Sequence, residues 1–221
     1  MAEEQELYSI VVVGAMNPRL HSPWWYEFLG LLSAADRDAA ANSSGYLITP
    51  QLAQMPGPQW RVICQESRWE VHTQHRDAAD EILSVAIRVF RALEHTPVSA
   101  FGFNFHFDRQ PKVPNVGQLL ASRIAGVGIG LPSSGLVSGQ LGLTTADGSN
   151  TWTIVLATNE QDPAILKVMH NANYPIRSES KEMVTFDLGE KLSAAFLPAL
   201  ERSRDLTNNI LQAIASSETA K

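Results

Sequence analysis

Residues Val98–Asp108 have the sequence VSAFGFNFHFD, and the alternation in this stretch decides which fold the rest of the chain can adopt. Successive side chains of a β-strand point to opposite faces of the sheet, so residues two apart share a face. One face of this strand carries four aromatic side chains, Phe101, Phe103, Phe105 and Phe107. The other face carries three polar side chains, Asn104, His106 and Asp108. Half of the eight phenylalanines of the chain lie on one face, which predicts that this is a core face.

The segments before this strand alternate between strand and helix patterns. β-branched runs predict a strand at Leu7–Met16, a strand at Gly45–Leu52 and one or two strands over Trp60–Thr73. Pro50 favours an edge position for the second of these. Helical spacing of apolar residues predicts a helix from Ser22 to about Ala35, between the first two strands, and a helix at Asp77–Glu94. This order predicts a ferredoxin-like β-α-β-β-α-β half over residues 1–110. In that arrangement Val98–Asp108 pairs with Leu7–Met16, both helices cover the Phe face, and the polar face stays uncovered.

The second half, residues 111–221, has a different pattern. It predicts a short helix at Asn115–Ala125 and then a glycine-dense loop at 126–130. A hairpin of strands Leu136–Thr145 and Thr151–Thr158, joined at Asp147-Gly148, follows, and then short strands at Leu166–His170 and Met183–Asp187. The last predicted element is a helix from Gly189 to about Ala215 that Pro198 divides or kinks. The predicted fold class is therefore α+β. A ferredoxin-like half precedes an antiparallel meander and a C-terminal helix, and the two halves pack as one unit.

Composition and charge exclude several classes of function. The net charge of −6, from 17 Lys+Arg and 23 Asp+Glu, and the absence of a basic run argue against a nucleic-acid-binding surface. The N-terminal sequence lacks the features of a signal peptide, and the longest aliphatic run, Ile10–Val13, is far too short to span a membrane. We therefore expect a cytoplasmic protein that binds no membrane. Cys64 is the single cysteine, and its apolar surroundings predict a buried, unreactive thiol.

No cofactor motif is present, so we expect no cofactor. Gly14 follows a strand but lacks the glycine partners of a dinucleotide-binding turn, and no phosphate-binding loop or G-x-S-x-G nucleophile motif occurs. His72 and His75 have a spacing that suits a metal on a helix. Their segment leaves a strand, where residues three apart point away from each other, so the sequence predicts no metal site.

The polar face of the Phe strand is the first candidate site. Asn104, His106 and Asp108 would follow one another along it about 7 Å apart, as an amide, a titratable imidazole and a carboxylate. Such a set could bind a polar ligand or perform acid–base chemistry. The alternative is structural, either a half-solvated sheet face or a hydrogen-bonded seam between two sheets.

Trp24, Trp25 and Tyr26 form an aromatic cluster at the start of the first helix and are the second candidate site. Packing in the core or at its rim explains the cluster, and contact with a partner is the alternative because tryptophan and tyrosine are enriched at interfaces.

Three functions follow from the two sites. The first is a non-enzymatic module that binds a small ligand or a protein in a groove between the halves. The second is a cofactor-independent enzyme with His106 as general base, oriented by Asp108. The third is a self-assembling structural subunit, a homo-oligomer, in contact through the aromatic cluster.

Overall fold

The protein has an α+β fold with one large antiparallel sheet and a long C-terminal helix. The computed structural model describes residues 5–111, 116, 140–148, 150–158, 162, 164–176 and 187–216. The described strands are β1 (Glu6–Gly14), β2 (Leu47–Ile48), β3 (Leu52–Pro56), β4 (Arg61–Gln65), β5 (Arg68–Thr73), β6 (Val98–Arg109), β7 (Gln140–Asp147), β8 (Asn150–Thr158) and β9 (Leu166–Pro175). The described α-helices are α1 (Pro23–Phe28), α2 (Ala34–Ala41), α3 (Ala79–Ala92) and α4 (Leu188–Ser216), with 3-10 turns at Pro18–Leu20 and Arg76–Ala78.

The nine described strands form one sheet in the order β2-β3-β4-β5-β1-β6-β9-β8-β7. Antiparallel pairing joins β2 to β3, β3 to β4, β4 to β5, β5 to β1 and β7 to β8. The predicted pairing of the Phe strand, β6, with the first strand is confirmed. The sheet is nevertheless larger than the four strands of a ferredoxin-like half, and that finer arrangement is not confirmed.

The Phe face of β6 is a core face, as the alternation predicts. All four phenylalanines are buried. Phe103 packs against Phe196 of α4, with ring centroids 5.3 Å apart, and Phe101 stacks on Tyr174 of β9 at 4.9 Å. The C-terminal helix therefore covers part of the face that the sequence assigned to the first two helices alone.

The first predicted helix is two helices in the structure. A helix from Ser22 to Ala35 is wrong because Gly30 adopts a left-handed conformation, with φ +69°, and ends α1. A new helix then begins after Ser33, whose side chain accepts from the Asp36 N–H while the Asp36 carboxylate accepts from the Ser33 N–H. This reciprocal capping box starts α2 at Ala34, within the last residues of the predicted single helix.

The structure also decides between alternatives for two other predicted elements. The long strand over Trp60–Thr73 is the divided alternative, β4 and β5, with a turn at Glu66-Ser67. Helix α4 runs through Pro198 without a break. The predicted loop at 126–130, and the predicted elements at Asn115–Ala125 and Met183–Asp187 apart from Val116 and Asp187, lie outside the described residues.

Gly14, at the end of β1, has a structural role. A Cβ atom there would overlap the carbonyl oxygen of Pro97, which accepts a hydrogen bond from the Ala15 N–H at 2.9 Å. Only glycine permits this close approach of two backbone segments. The glycine after the first strand is thus explained by packing of the backbone.

The chain divides into two compact units. One, which we call the larger unit, contains residues Leu7–Asn104 and Asn173–Ala199. The other, the smaller unit, contains residues Met1–Glu6, Phe105–Ala172 and Leu200–Lys221. The divisions fall within β1, β6, β9 and α4, so each of these elements contributes residues to both units. Among the described residues, no helix is both long and apolar enough to cross a membrane.

Candidate functional site

The polar face of β6 begins in the larger unit with Asn104. Its side-chain amide donates a hydrogen bond of 2.9 Å to Oγ of Ser9 on β1, and Ser9 is buried. Asn104 itself is half-buried. The amide of the predicted site is therefore engaged with the neighbouring strand.

His106 and Asp108, the other two residues predicted on this face, fall in the smaller unit. Both are half-buried, and the backbone N–H of Asp108 donates to the carbonyl oxygen of Gln5 at 2.8 Å. The three predicted site residues thus lie on one strand but divide between the units. A ligand-binding or catalytic role for them stays a prediction.

The strand register extends the polar face beyond Asn104. In the antiparallel pairs, Arg61 lies opposite His72, and His72 lies opposite Ser9, which accepts the hydrogen bond from Asn104. Four polar side chains therefore form a row across β4, β5, β1 and β6. The sequence could not place these four together, because the register of strands distant in the chain is set by the fold.

Burial of His72 within this row favours an uncharged imidazole. Burial, and to a smaller extent the nearby Arg61, lowers the pKa of His72, while Glu70 acts in the opposite direction. Within the described part of the chain, the side chain of Arg61 makes no hydrogen bond or ion pair, whereas Arg68 is paired with Glu70 at 2.7 Å. Ile63, Gln65, Arg68 and Glu70 line a shallow concavity of about 280 Å³ on the same face. In the parts of the chain that the structure describes, no group of histidine, cysteine and acidic residues is placed to hold a metal ion.

The aromatic cluster of α1 divides into buried and exposed members. Tyr26 is fully buried, Trp25 is half-buried, and Trp24 is 55% exposed. Phe28, one helical turn after Trp24, is 84% exposed. Residues four apart lie on the same side of a helix, so Trp24 and Phe28 form one exposed surface, which we call the aromatic patch. Leu20, in the turn before the helix, is 39% exposed.

Tyr26 anchors α1 in the core of the larger unit. Its ring packs against Trp60, with centroids 5.7 Å apart, and its hydroxyl lies 2.9 Å from Nδ1 of the buried His21. Burial raises the pKa of Tyr26 well above its usual range, and it lowers the pKa of His21 to about 4. Both groups are neutral at pH 7, and within the described residues Nε2 of His21 has no hydrogen-bond partner.

Both ends of α1 are capped. Ser22 accepts a side-chain hydrogen bond from the Trp25 N–H, and Pro23 occupies the first helical position. At the other end the N–H of Gly30 donates to Glu27 and that of Leu31 donates to Tyr26, which is a Schellman motif. A helix of six residues is unstable in isolation, so these caps and the buried tyrosine are what hold it.

Two arginines fix α1 to the rest of the larger unit. Arg88 of α3 donates to the carbonyl oxygens of Leu29 and Gly30, at 3.3 and 3.0 Å. Arg37 of α2 pairs with Glu27 at 2.8 Å. Because the helix is held at both ends and from two sides, the exposure of the aromatic patch does not arise from loose packing.

The sequence missed Phe28 as a surface residue. The helical spacing of Trp24, Phe28, Leu31 and Leu32 predicted one apolar stripe along the longer helix, but only Leu32 of these is buried. The missed signal is Gly30, which ends the helix after one and a half turns. In a helix that short few positions face inward, and Pro23 and Tyr26, three residues apart, occupy them.

A second polar cluster lies in the smaller unit. Glu6 pairs with Arg109 and, at 3.9 Å, with Arg204 of α4. His170 of β9 is buried, and its Nε2 lies 2.9 Å from Oγ1 of the buried Thr207. Burial, with a smaller effect of His106, lowers the pKa of His170 to about 4. Within the smaller unit, the contact of His170 with Thr207 joins β9 to α4.

Comparison with protein-family models gives no match, and comparison with curated proteins finds no similar chain. The function must therefore be inferred from the residues of the chain itself.

Proposed function

We propose that this protein is a protein-binding module that contacts its partner through the aromatic patch, Trp24 and Phe28. The observation that carries the proposal is the 84% exposure of Phe28 on a helix whose position is fixed. Exposed apolar residues scattered singly are normal on soluble proteins. A tryptophan and a phenylalanine together on one side of a short capped helix are a contiguous apolar surface, which marks an interaction site.

The rigidity of α1 adds to this argument. Binding costs free energy wherever a surface must be ordered first, and a pre-organised surface avoids that cost. Aromatic side chains dominate the binding energy of many interfaces, and residues at positions i and i+4 of a helix are typical anchors in an apolar groove. The partner we expect is another protein with an apolar groove wide enough for two aromatic side chains.

A protein partner fits α1 better than a lipid surface does. Helices that bind membranes carry lysine and arginine beside their apolar face. The sequence of α1, PWWYEF, contains one acidic residue and no basic residue, and the chain has a net charge of −6. Attraction to anionic lipid is therefore absent from this helix.

The test is affinity capture with purified protein, followed by measurement of binding to each captured protein by calorimetry. We expect Trp24→Ala and Phe28→Ala each to weaken binding of the true partner at least about tenfold, as anchor residues do. Both changes should alter the stability of the protein by less than about 0.5 kcal/mol because the side chains are exposed.

The matched control is Leu197→Ala, which removes an apolar side chain that is 43% exposed on α4. It should leave the affinity unchanged. Captured proteins that bind wild type, Trp24→Ala and Phe28→Ala equally well would contradict the proposal.

A ferredoxin-like arrangement of the first half is part of the proposal. Its support is the order β4-β5-β1-β6, in which the fourth strand lies beside the first and the third beside both the first and the second. Backbone contact of residue 15 with 97, and side-chain contact of residue 9 with 104, indicate that β1 and β6 are antiparallel. In this description β2 and β3 are an added hairpin beyond β4.

The other hypotheses remain open beside this one. Small-ligand binding at Asn104, His106 and Asp108 is supported by the polar row and by the unpaired charge of Arg61 within the described residues. A crystal of protein purified with its cellular small molecules should then show density beside Asn104. If no such density is found and a partner is identified whose binding requires Trp24, only the protein-binding function is supported. Catalysis by His106 and a cytoplasmic location also stay predictions.

A further inference from the structure

Among the described strands, β7 lies at one end of the sheet, and no second described strand pairs with its outer edge. In the described part of the chain it pairs with β8 alone, in a register that runs from Gln140 opposite Ala157 to Asp147 opposite Asn150. Its residues from Gly142 to Ala146 are all exposed, and Leu143 is 54% exposed. An open strand of this length is a template for pairing with another strand.

The hairpin geometry shows which backbone groups face outward. Asp147 and Asn150 close a two-residue turn at Gly148, so they form a hydrogen-bonded pair. Antiparallel pairs alternate between hydrogen-bonded and non-hydrogen-bonded. The N–H and C=O groups of Gly142, Thr144 and Ala146 therefore point away from β8. The side chains of non-hydrogen-bonded pairs lie closest, and in agreement Oγ1 of Thr144 lies 3.0 Å from Oγ1 of Thr153.

The two edges of the sheet differ in how they are protected. At the other end, β2 has two residues and is followed closely by Pro50. Short edge strands and prolines are devices that prevent strand pairing. β7 has eight residues, QLGLTTAD, and from Gln140 to Ala146 it contains no charge and no proline.

We propose that β7 pairs antiparallel with β7 of a second copy of this chain, about a two-fold axis at Leu143. In this register Gly142 of one copy forms hydrogen bonds with Thr144 of the other, which uses the outward groups. Leu143 meets Leu143 as a non-hydrogen-bonded pair, where side chains approach most closely. Self-pairing brings like residues together, and a strand free of charge from Gln140 to Ala146 does so without repulsion.

Weak association is expected from one strand pair. Stable interfaces bury about 1,200 Å² or more in total, and a single pair of eight-residue strands buries less than that. The dimer should therefore form reversibly, with a Kd on the order of 100 µM. Sedimentation experiments must accordingly reach concentrations of about 1 mM.

The experiment compares wild type with Leu143→Lys and Leu143→Glu by sedimentation over this range. The wild type should dimerise, and each variant alone should do so at least about tenfold more weakly because like charges meet at the two-fold axis. An equimolar mixture of the two variants should dimerise again, because the introduced lysine of one chain then faces the introduced glutamate of the other. Since Leu143 is exposed, both variants should fold like the wild type.

Leu197→Lys is the control, since it places the same charge on an exposed leucine of α4 and should dimerise as the wild type does. Hydrogen exchange gives a local readout, in which the amides of Gly142, Thr144 and Ala146 become protected only at high concentration. A wild type that stays monomeric, a mixture that stays monomeric, or a Leu143→Lys variant that dimerises normally would each overturn the proposal.

Discussion

Tyr26 shows how one residue decides the surface around it. Its hydroxyl is the hydrogen-bond partner of His21, and its ring occupies the space beside Trp60. With Tyr26 facing inward, Trp24 and Phe28, each two residues away on the same helix, lie about 160° around its axis and face outward. The exposure of Trp24 and Phe28 is therefore a consequence of the position of Tyr26.

We predict that Tyr26→Phe destabilises the protein by about 1–3 kcal/mol, because it leaves Nδ1 of the buried His21 without a partner while keeping the ring. Urea unfolding followed by circular dichroism gives the free energy of unfolding. Tyr46→Phe, at a half-buried tyrosine without a described side-chain hydrogen bond, is the control and should change it by less than about 0.5 kcal/mol. Equal effects of the two changes would show that the hydrogen bond contributes nothing.

At the scale of elements, α4 joins the two units within one continuous helix. Its residues up to Ala199 belong to the larger unit, and those from Leu200 belong to the smaller. Buried residues follow helical spacing through both parts, from Leu192 and Phe196 to Ser203 and Thr207. Pro198 lies just before the division, where it removes one backbone hydrogen bond of the helix.

Pro198→Ala should therefore stabilise the protein, by about 1–3 kcal/mol, because alanine restores the missing N–H donor and has the highest helix propensity. The thermal unfolding midpoint is the measurement. Glu201→Ala, at an exposed site on the same helix, is the control for helix propensity alone and should change the unfolding midpoint only slightly. A lower midpoint for Pro198→Ala would mean that the proline contributes packing which outweighs the lost hydrogen bond.

At the scale of the whole molecule, each unit contains, among its described residues, one buried histidine with a pKa lowered to about 4, His21 in the larger and His170 in the smaller. An unfolded histidine has a pKa near 6.5. Between pH 6.5 and about pH 4 the unfolded chain takes up protons that the folded chain does not. Stability should therefore fall as the pH is lowered through this range, by up to about 1.4 kcal/mol per pH unit for each histidine.

Unfolding in urea at pH 7, 6 and 5 tests this dependence, and NMR titration of the two imidazoles identifies the groups. In His170→Gln and in His21→Gln, the free energy of unfolding should fall less steeply with decreasing pH than it does in the wild type. Imidazoles that titrate near pH 6.5 in the folded protein would contradict the prediction.

Much of the fold could be predicted from the sequence, because its main signals are local. The alternation of Val98–Asp108 identified a core face, and the spacing in Asp77–Glu94 identified α3. The boundary at Gly30 was missed because apolar spacing continues past it to Leu32, although a glycine in a left-handed conformation ends the helix. The covering of the Phe face by α4 joins residues 103 and 196, and no local pattern contains that contact.

The candidate sites were less predictable than the fold. The cluster Trp24–Tyr26 was identified, but which of its members face outward depended on the length of α1 and on the burial of Tyr26. Phe28 belonged to the apolar stripe of a longer predicted helix, and the end of the helix at Gly30 removes that stripe. The row from Arg61 to Asn104 depends on the register of four strands, which the fold sets and the composition of each strand does not.

The exposure of Phe28 has a consequence for mutational tolerance. In a library of variants selected only for folded protein, position 28 should accept almost any residue that a helix end allows, whereas position 26 should accept almost none. If the aromatic patch contacts a partner, selection for the function of the protein in cells should restrict the residues accepted at position 28 to large apolar ones. The difference between the two selections at this single position would separate what the molecule needs in order to fold from what it needs in order to function.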